Sequence, residues 1–185
     1  MKKILLILIL SSLSLCSFAN QERENLAKET LLSLKNNNYE QYANSTLISL
    51  DEMTDLFIYV SKIVDERGEE NPFSLKNKSK SEIKEELREE FKELSMKAKA
   101  VWTSLRKSGE EKGIDWSKVE YVSSDFESEP KATRVPNIKG AHIIVNFKSN
   151  NDLYKYQINK CLFLLNKQWR CKKVKSLKKA PSSTK

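Results

Sequence analysis

The side chains best suited to chemistry in this 185-residue chain are three cysteines, Cys16, Cys161 and Cys171, and one histidine, His142. A protein uses thiols to ligate soft metals, to attack as thiolates, or to pair as a disulfide. Cys161 and Cys171 stand ten positions apart, which is not the Cys-x-x-Cys spacing of thiol–disulfide exchange. A bridge that pins a hairpin is the expected use, and two buried free thiols are the alternative. A metal site built from His142 and this pair would need thiolates that the bridge removes. No second histidine or acidic cluster accompanies His142, so it reads as a surface or rim residue, and no catalytic or metal-binding residue is assigned. No nucleotide motif is present, so no cofactor is expected.

Tyr154, Tyr156, Trp102 and Trp169 could line a small-molecule pocket, although at strand and helix spacings the same residues make ordinary core. The glutamates between 82 and 93 alternate with Lys and Arg, as on a wet helix face rather than in a general acid/base pair. Lys172, Lys173, Lys175, Lys178 and Lys179 form a basic cluster suited to an anionic surface or an acidic protein partner, with attraction that salt weakens. From Leu153 to Lys185 there are ten Lys or Arg and no Asp or Glu, so the chain is mildly acidic first and strongly basic last. The interleaved aromatics and motifs of nucleic-acid binders are missing, which argues against nucleic acid. A solubilising, flexible tail over 179–185 is the competing account of the lysines.

The compartment decides the cysteine chemistry. Lys2 and Lys3 form a basic start, Ile4 to Leu15 an apolar run of twelve, and Ser17-Phe18-Ala19 a small-x-small cleavage site, the pattern of an export signal. Twelve residues fall short of the about 20 needed to span a bilayer, so no transmembrane segment is expected. The product then begins near Asn20 and is periplasmic or secreted. Cys16 raises the alternative of a lipoprotein, but a lipobox wants a small residue before its cysteine, and Leu15 is large and branched. The MKK start and Lys/Asn-rich composition point to a bacterial source. Without residues 1–19 the net charge of +8 falls to about +6, and the 166 residues left suit one domain, over 20–178, burying roughly 70% of its unfolded surface.

Helical spacing dominates the first two thirds. Leu26, Thr30, Leu31 and Leu34 mark one helix, broken by Asn36-Asn37-Asn38 before a short Tyr39–Ala43 segment. Ser49 and Glu52 have capping-box spacing, and Met53, Leu56, Phe57, Val60, Ile63 and Val64 predict a helix over Leu50–Asp65. Residues 66–80 read as a charged loop. Ser79 and Glu82 open a second, longer helix whose apolar face runs from Ile83 to Leu105, with Gly109 as the expected left-handed stop. Its early glutamates and late lysines match the helix dipole.

Beyond Trp116 the period changes to alternation. Val119–Phe126 is the first predicted strand. A turn over Ser149–Asp152 sets Phe147 opposite Tyr154, Val145 opposite Tyr156 and Ile143 opposite Ile158, one apolar face across two strands. A last strand, Trp169–Leu177, returns after the tight turn at Asn166-Lys167. A three-residue loop of Leu165, Asn166 and Lys167 places Cys161 opposite Cys171 and Phe163 opposite Trp169, the register favoured here, whereas a two-residue loop slips it and separates the sulfurs unless a bulge restores it. The fold class is therefore α+β, with N-terminal helices including one long amphipathic helix, then a three- to four-stranded antiparallel meander.

The Lys35–Glu40 helix-break-helix opening and the closing hairpin Leu164-Leu165-Asn166-Lys167-Gln168-Trp169-Arg170-Cys171 resemble exported NTF2-like, or cystatin-like, proteins. The resemblance implies a cone of helices and sheet that can hold a ligand. It departs in the middle, where two sizeable helices and a charged loop replace the early strands of that family. The leading functional expectation is a non-enzymatic exported binding or interaction module. One alternative is an NTF2-like pocket protein that binds or transforms a small apolar molecule through Tyr154 and Tyr156. Another is a periplasmic immunity-type inhibitor whose basic strand docks an acidic protein partner.

Overall fold

The computed structural model describes residues 21–68, 75, 78–128 and 136–180. The segment read as an export signal, with Cys16, lies outside the described residues, as do parts of the loop over 66–80, Pro130, and positions 181–185 of the tail. Helix α1 occupies 21–35 and ends where Asn37 takes a φ of 52°. The Asn38 N–H reaches back to the Ser33 carbonyl at 2.9 Å and the Asn37 N–H to Leu34 at 3.3 Å, a Schellman closure of carbonyls the helix leaves open. Asparagine tolerates that left-handed geometry, which is why the Asn36-Asn37-Asn38 run stops the helix. Asn38 then caps α2 (Tyr39–Thr46), its side chain accepting from the Gln41 N–H.

Helices α3 (Leu50–Glu66) and α4 (Lys80–Glu86) start on the predicted capping boxes, Ser49 with Glu52 and Ser79 with Glu82. The helix expected to continue unbroken from Ser79 bends at Leu87, which divides α4 from α5 (Arg88–Glu111). The ladder stays closed through the bend: Leu87 N–H donates to Ile83 at 3.1 Å and the Leu87 carbonyl accepts from Phe91 at 2.9 Å. The two halves bury against different elements, α4 on α3 and α5 on the sheet, so one straight axis cannot serve both. The expected stop at Gly109 is also corrected. Gly109 lies within α5, and Gly113, at a φ of 79°, supplies the left-handed residue.

Among the described residues five strands follow: β1 (Glu120–Ser128), β2 (Lys139–Ser149), β3 (Asp152–Phe163), β4 (Trp169–Arg170) and β5 (Lys173–Lys179). All pair antiparallel in the order β1-β2-β3, with β4 and β5 one after the other along the free side of β3. The predicted register of β2 and β3 holds at all three pairs, Phe147 with Tyr154, Val145 with Tyr156 and Ile143 with Ile158. Asn150 and Asn151 turn the hairpin at φ of 50° and 68°, the pair of left-handed residues that a type I′ turn needs. The last strand is one lane broken into two, because Lys160 on β3 bulges at a φ of 54° and the Cys171 N–H turns away to the Thr46 carbonyl at 2.7 Å. The sheet also runs past the expected tail boundary: Lys179 belongs to β5, and the Ala180 N–H donates to Leu153 at 2.8 Å.

The architecture is α+β, with helices first and the antiparallel sheet last. Alternation along β2, β3 and β5 puts Ile143, Val145, Phe147, Tyr156, Ile158 and Val174 on one fully buried face. Leu31 and Leu34 of α1, Tyr42 of α2 and Trp102 and Leu105 of α5 close over it. Each such aliphatic side chain contributes roughly 1.5–3 kcal/mol by leaving water. Helix α3 stands apart from this core. Its apolar stripe is only half-buried, and Lys80–Asp55 and Lys84–Asp51 ion pairs at 2.5 and 2.7 Å lace it to α4.

Candidate functional site

The half-buried stripe of α3 leaves a groove between the helices and the tip of the β3–β4 hairpin. The hairpin forms as its sequence dictates. Leu164 and Gln168 close a three-residue loop, with the Leu164 N–H on Gln168 at 2.9 Å and Lys167 left-handed at 62°. Phe163 then faces Trp169, and their rings pack 5.2 Å apart. Cys161 and Cys171 are joined by a disulfide, as the three-residue loop predicts.

Arg170, between Trp169 and Cys171, points toward the helices. Its Nε donates to both oxygens of Glu52, at 3.1 and 3.0 Å, its Nη1 to the Ser45 carbonyl at 3.1 Å and its Nη2 to Gln168 at 2.6 Å. Glu52 also accepts from Asn166 at 2.8 Å and from the Ser49 N–H at 2.9 Å. The two side chains are only 15% and 17% exposed. Burial presses the Glu52 carboxyl upward, but the bonds from Arg170, the Ser49 N–H and Asn166 together outweigh it and hold the group below the usual carboxylate range. One residue thus caps α3 and anchors the hairpin.

On one side of this ion pair lies a cavity of about 350 Å³, walled by Ile48, Met53, Leu94, Leu162 and Leu164, with Cys171 in its floor and Glu90, Lys160 and Lys172 at its rim. On the other side, sharing Leu164, lies one of about 380 Å³ that includes Asp55, Leu56, Leu165 and Asn166. Together they form a mainly aliphatic groove with polar ends. Leu165 adds to it, being 47% exposed.

The aromatic residues read as possible pocket walls fall elsewhere. Trp102, Tyr154, Tyr156 and Trp169 are 1–5% exposed and belong to the core, where Tyr154 stacks on Phe147 at 5.7 Å and Trp102 meets Tyr39 edge-on at 5.8 Å. None of the four lines either half of the groove, and Trp169 borders a separate cavity of about 130 Å³ with Leu26 and Ser45. Burial pushes the phenols of Tyr42 and Tyr156 well above the usual range, so neither is poised to exchange a proton.

The five lysines have different surroundings. Lys172 sits at the groove, Lys173 and Lys175 border a shallow depression between α5 and β5, and Lys178 faces Lys155 across the strands. Lys179 pairs with Asp152 at 2.7 Å. His142 lies on the outer side of the sheet and accepts the Lys160 N–H at 3.3 Å. Among the described residues no three His, Cys, Asp or Glu side chains converge as a metal site, and no helix is long and apolar enough to cross a membrane.

Sequence reasoning missed the Glu52–Arg170 pair. Glu52 carried a sufficient local explanation as a capping residue, and nothing in the text around Arg170 names a partner 118 positions away. Comparison with protein families, characterised proteins and solved structures gives no match for this chain.

Proposed function

We propose that this chain is an exported, non-enzymatic binding module whose working surface is the groove between α3, α5 and the disulfide-pinned hairpin. The observation that carries the reading is the groove itself: aliphatic walls contributed by two helices and a hairpin, with the hairpin wall held by the Glu52–Arg170 pair and the Cys161–Cys171 bridge. Walls fixed in advance lose little entropy on binding. The disulfide is compatible with an oxidising compartment and supports export. The large Leu15 before Cys16 supports processing of the N-terminal signal after Ala19, to a periplasmic or secreted product, over lipidation. The helix-break-helix opening and the closing hairpin support a distant NTF2-like relationship.

The test is fluorescence of the uncharged apolar dye Nile red with the oxidised protein, compared with Leu94→Glu, a groove-wall change outside the main core. Enhancement that the substitution abolishes, with near-ultraviolet circular dichroism unchanged, is expected. Enhancement indifferent to Leu94→Glu sinks the reading. Intact mass of the exported product reads out the cleavage site and any lipid.

The basic edge supports a second reading, in which Lys173, Lys175 and Lys178 on β5 dock an acidic protein as an immunity-type inhibitor would. Co-purification at low salt that Lys173→Glu/Lys175→Glu leaves unchanged counts against it.

A further inference from the structure

Resting on the groove reading, we infer that the groove takes a single-chain aliphatic anion, with its chain along the aliphatic wall and its acid group at Lys160 and Lys172. Three features converge. Among the described residues, the wall of the 350 Å³ half is aliphatic and thioether, from Ile48, Met53, Leu94, Leu162 and Leu164, with no aromatic ring to stack a planar ligand. A flexible chain conforms to such a wall, and unbranched Met53 can repack around it.

The charges at the rim are unequal. Arg170 is already matched by Glu52. Among the described residues, Lys160 and Lys172 are both exposed at the mouth, against a single exposed carboxylate, Glu90, on the helix side, a net of one positive charge. The backbone sets the two residues side by side. The Lys172 N–H donates to the Asn159 carbonyl at 3.2 Å, which brings Lys172 next to Lys160 across the broken strand lane, and the left-handed turn at Lys160 allows its exposed position there. One net positive charge at the mouth of an apolar groove selects an amphiphile with an anionic head over a neutral one.

The break between β4 and β5 gains a purpose on this reading. Lys172 lies in the interruption between the two strands, at the groove. The Cys171 sulfur in the floor fixes that interruption covalently to β3.

Calorimetric titration of the oxidised protein with decanoate, and separately with decanol, tests the assignment. Decanoate is expected to bind more tightly, and Lys160→Gln/Lys172→Gln to weaken decanoate by roughly tenfold while leaving decanol unchanged, as for losing two rim charge pairs. Lys160→Arg/Lys172→Arg should keep the preference, and added salt should narrow it. Equal affinity for the two chains, or a decanoate curve that the Gln double variant does not move, overturns the head-group assignment while Nile red binding still upholds the groove. Binding to vesicles of anionic lipid without binding to decanoate also overturns it, since the lysines would then serve a membrane surface. Loss of Nile red binding overturns both readings together.

Discussion

Arg170 and Glu52 are 118 residues apart in sequence and meet through a single guanidinium nitrogen that bonds both carboxylate oxygens, at 3.1 and 3.0 Å. This contact joins the hairpin tip to the first turn of α3, a helix that contributes no residue to the main core. Because both groups are largely buried, removing one leaves the other uncompensated. Glu52→Ala loses the pair and the capping box together and should cost about 2–4 kcal/mol. Arg170→Ala should cost about 2–3 kcal/mol, and the double variant less than the sum, by about 1–2 kcal/mol, in urea unfolding. Strict additivity would show that the pair is not coupled.

The same pair sets an acid dependence. The folded-state value of Glu52 lies below its ordinary 4.5. Its contribution is therefore complete above the ordinary value and is lost as pH falls through the folded one. Asp51, Glu82, Glu93 and Asp115 are lowered too, so the wild-type acid limb is shared. The diagnostic quantity is the difference between wild type and Glu52→Gln, which should shrink as pH drops below about 4.5. A difference constant from pH 7 to pH 3 would remove Glu52 from the acid transition.

The disulfide closes a short loop, with a separation of ten positions, inside a ladder that already holds its ends. Chain entropy then assigns it about 2–3 kcal/mol, toward the low end for such bridges. Cys161→Ala/Cys171→Ala should lower the unfolding free energy measured in urea by that amount, and dithiothreitol should bring wild type to the same value. An intact mass lacking the two-hydrogen deficit would contradict the bridge directly.

Local rules in the sequence predict the parts of the fold that local rules create. Both capping boxes, the break at Asn37, the β2–β3 register and the three-residue hairpin loop each need only a few neighbouring residues. The bend at Leu87 was hidden because its cause is tertiary: the apolar spacing runs straight through it, while the halves bury against different partners. The aromatic residues were readable as pocket or core, since periodicity marks burial but not whether the space beside a ring is filled. The groove was invisible for a related reason. Its walls are helix and strand residues that each fit an amphipathic pattern, and only the stand-off of α3 from the sheet separates them.

The β2–β3 turn carries asparagine at two left-handed positions, φ 50° and 68°. Glycine at the second would meet the same geometry without a Cβ penalty, the Asn-Gly pairing that type I′ turns favour. Asn151→Gly should therefore stabilise by about 0.5 kcal/mol, and Asn151→Val, branched at Cβ, should destabilise by about 1–2 kcal/mol. Thermal unfolding measured on both decides the matter, and a neutral Val variant would show that the turn has another conformation.

Gly109 offers the sharpest conflict between local and tertiary preference. Glycine inside a helix normally costs about 1 kcal/mol relative to alanine, so Gly109→Ala would stabilise α5 if nothing lay beside it. A Cβ there would sit 2.3 Å from the Trp116 indole. The indole has no room to yield, because it stacks on Phe147 at 5.8 Å and its Nε1–H donates to the Arg106 carbonyl at 2.9 Å. Overpacking of about 1–3 kcal/mol should then exceed the helical gain, and Gly109→Ala should lower stability by about 1–2 kcal/mol. In a Trp116→Leu background, where the obstructing ring is gone, the same change should turn neutral or stabilising. If Gly109→Ala stabilises the wild-type chain, the indole does not pack against that turn of α5, and the buried contact that fixes the helix end to the sheet must lie elsewhere.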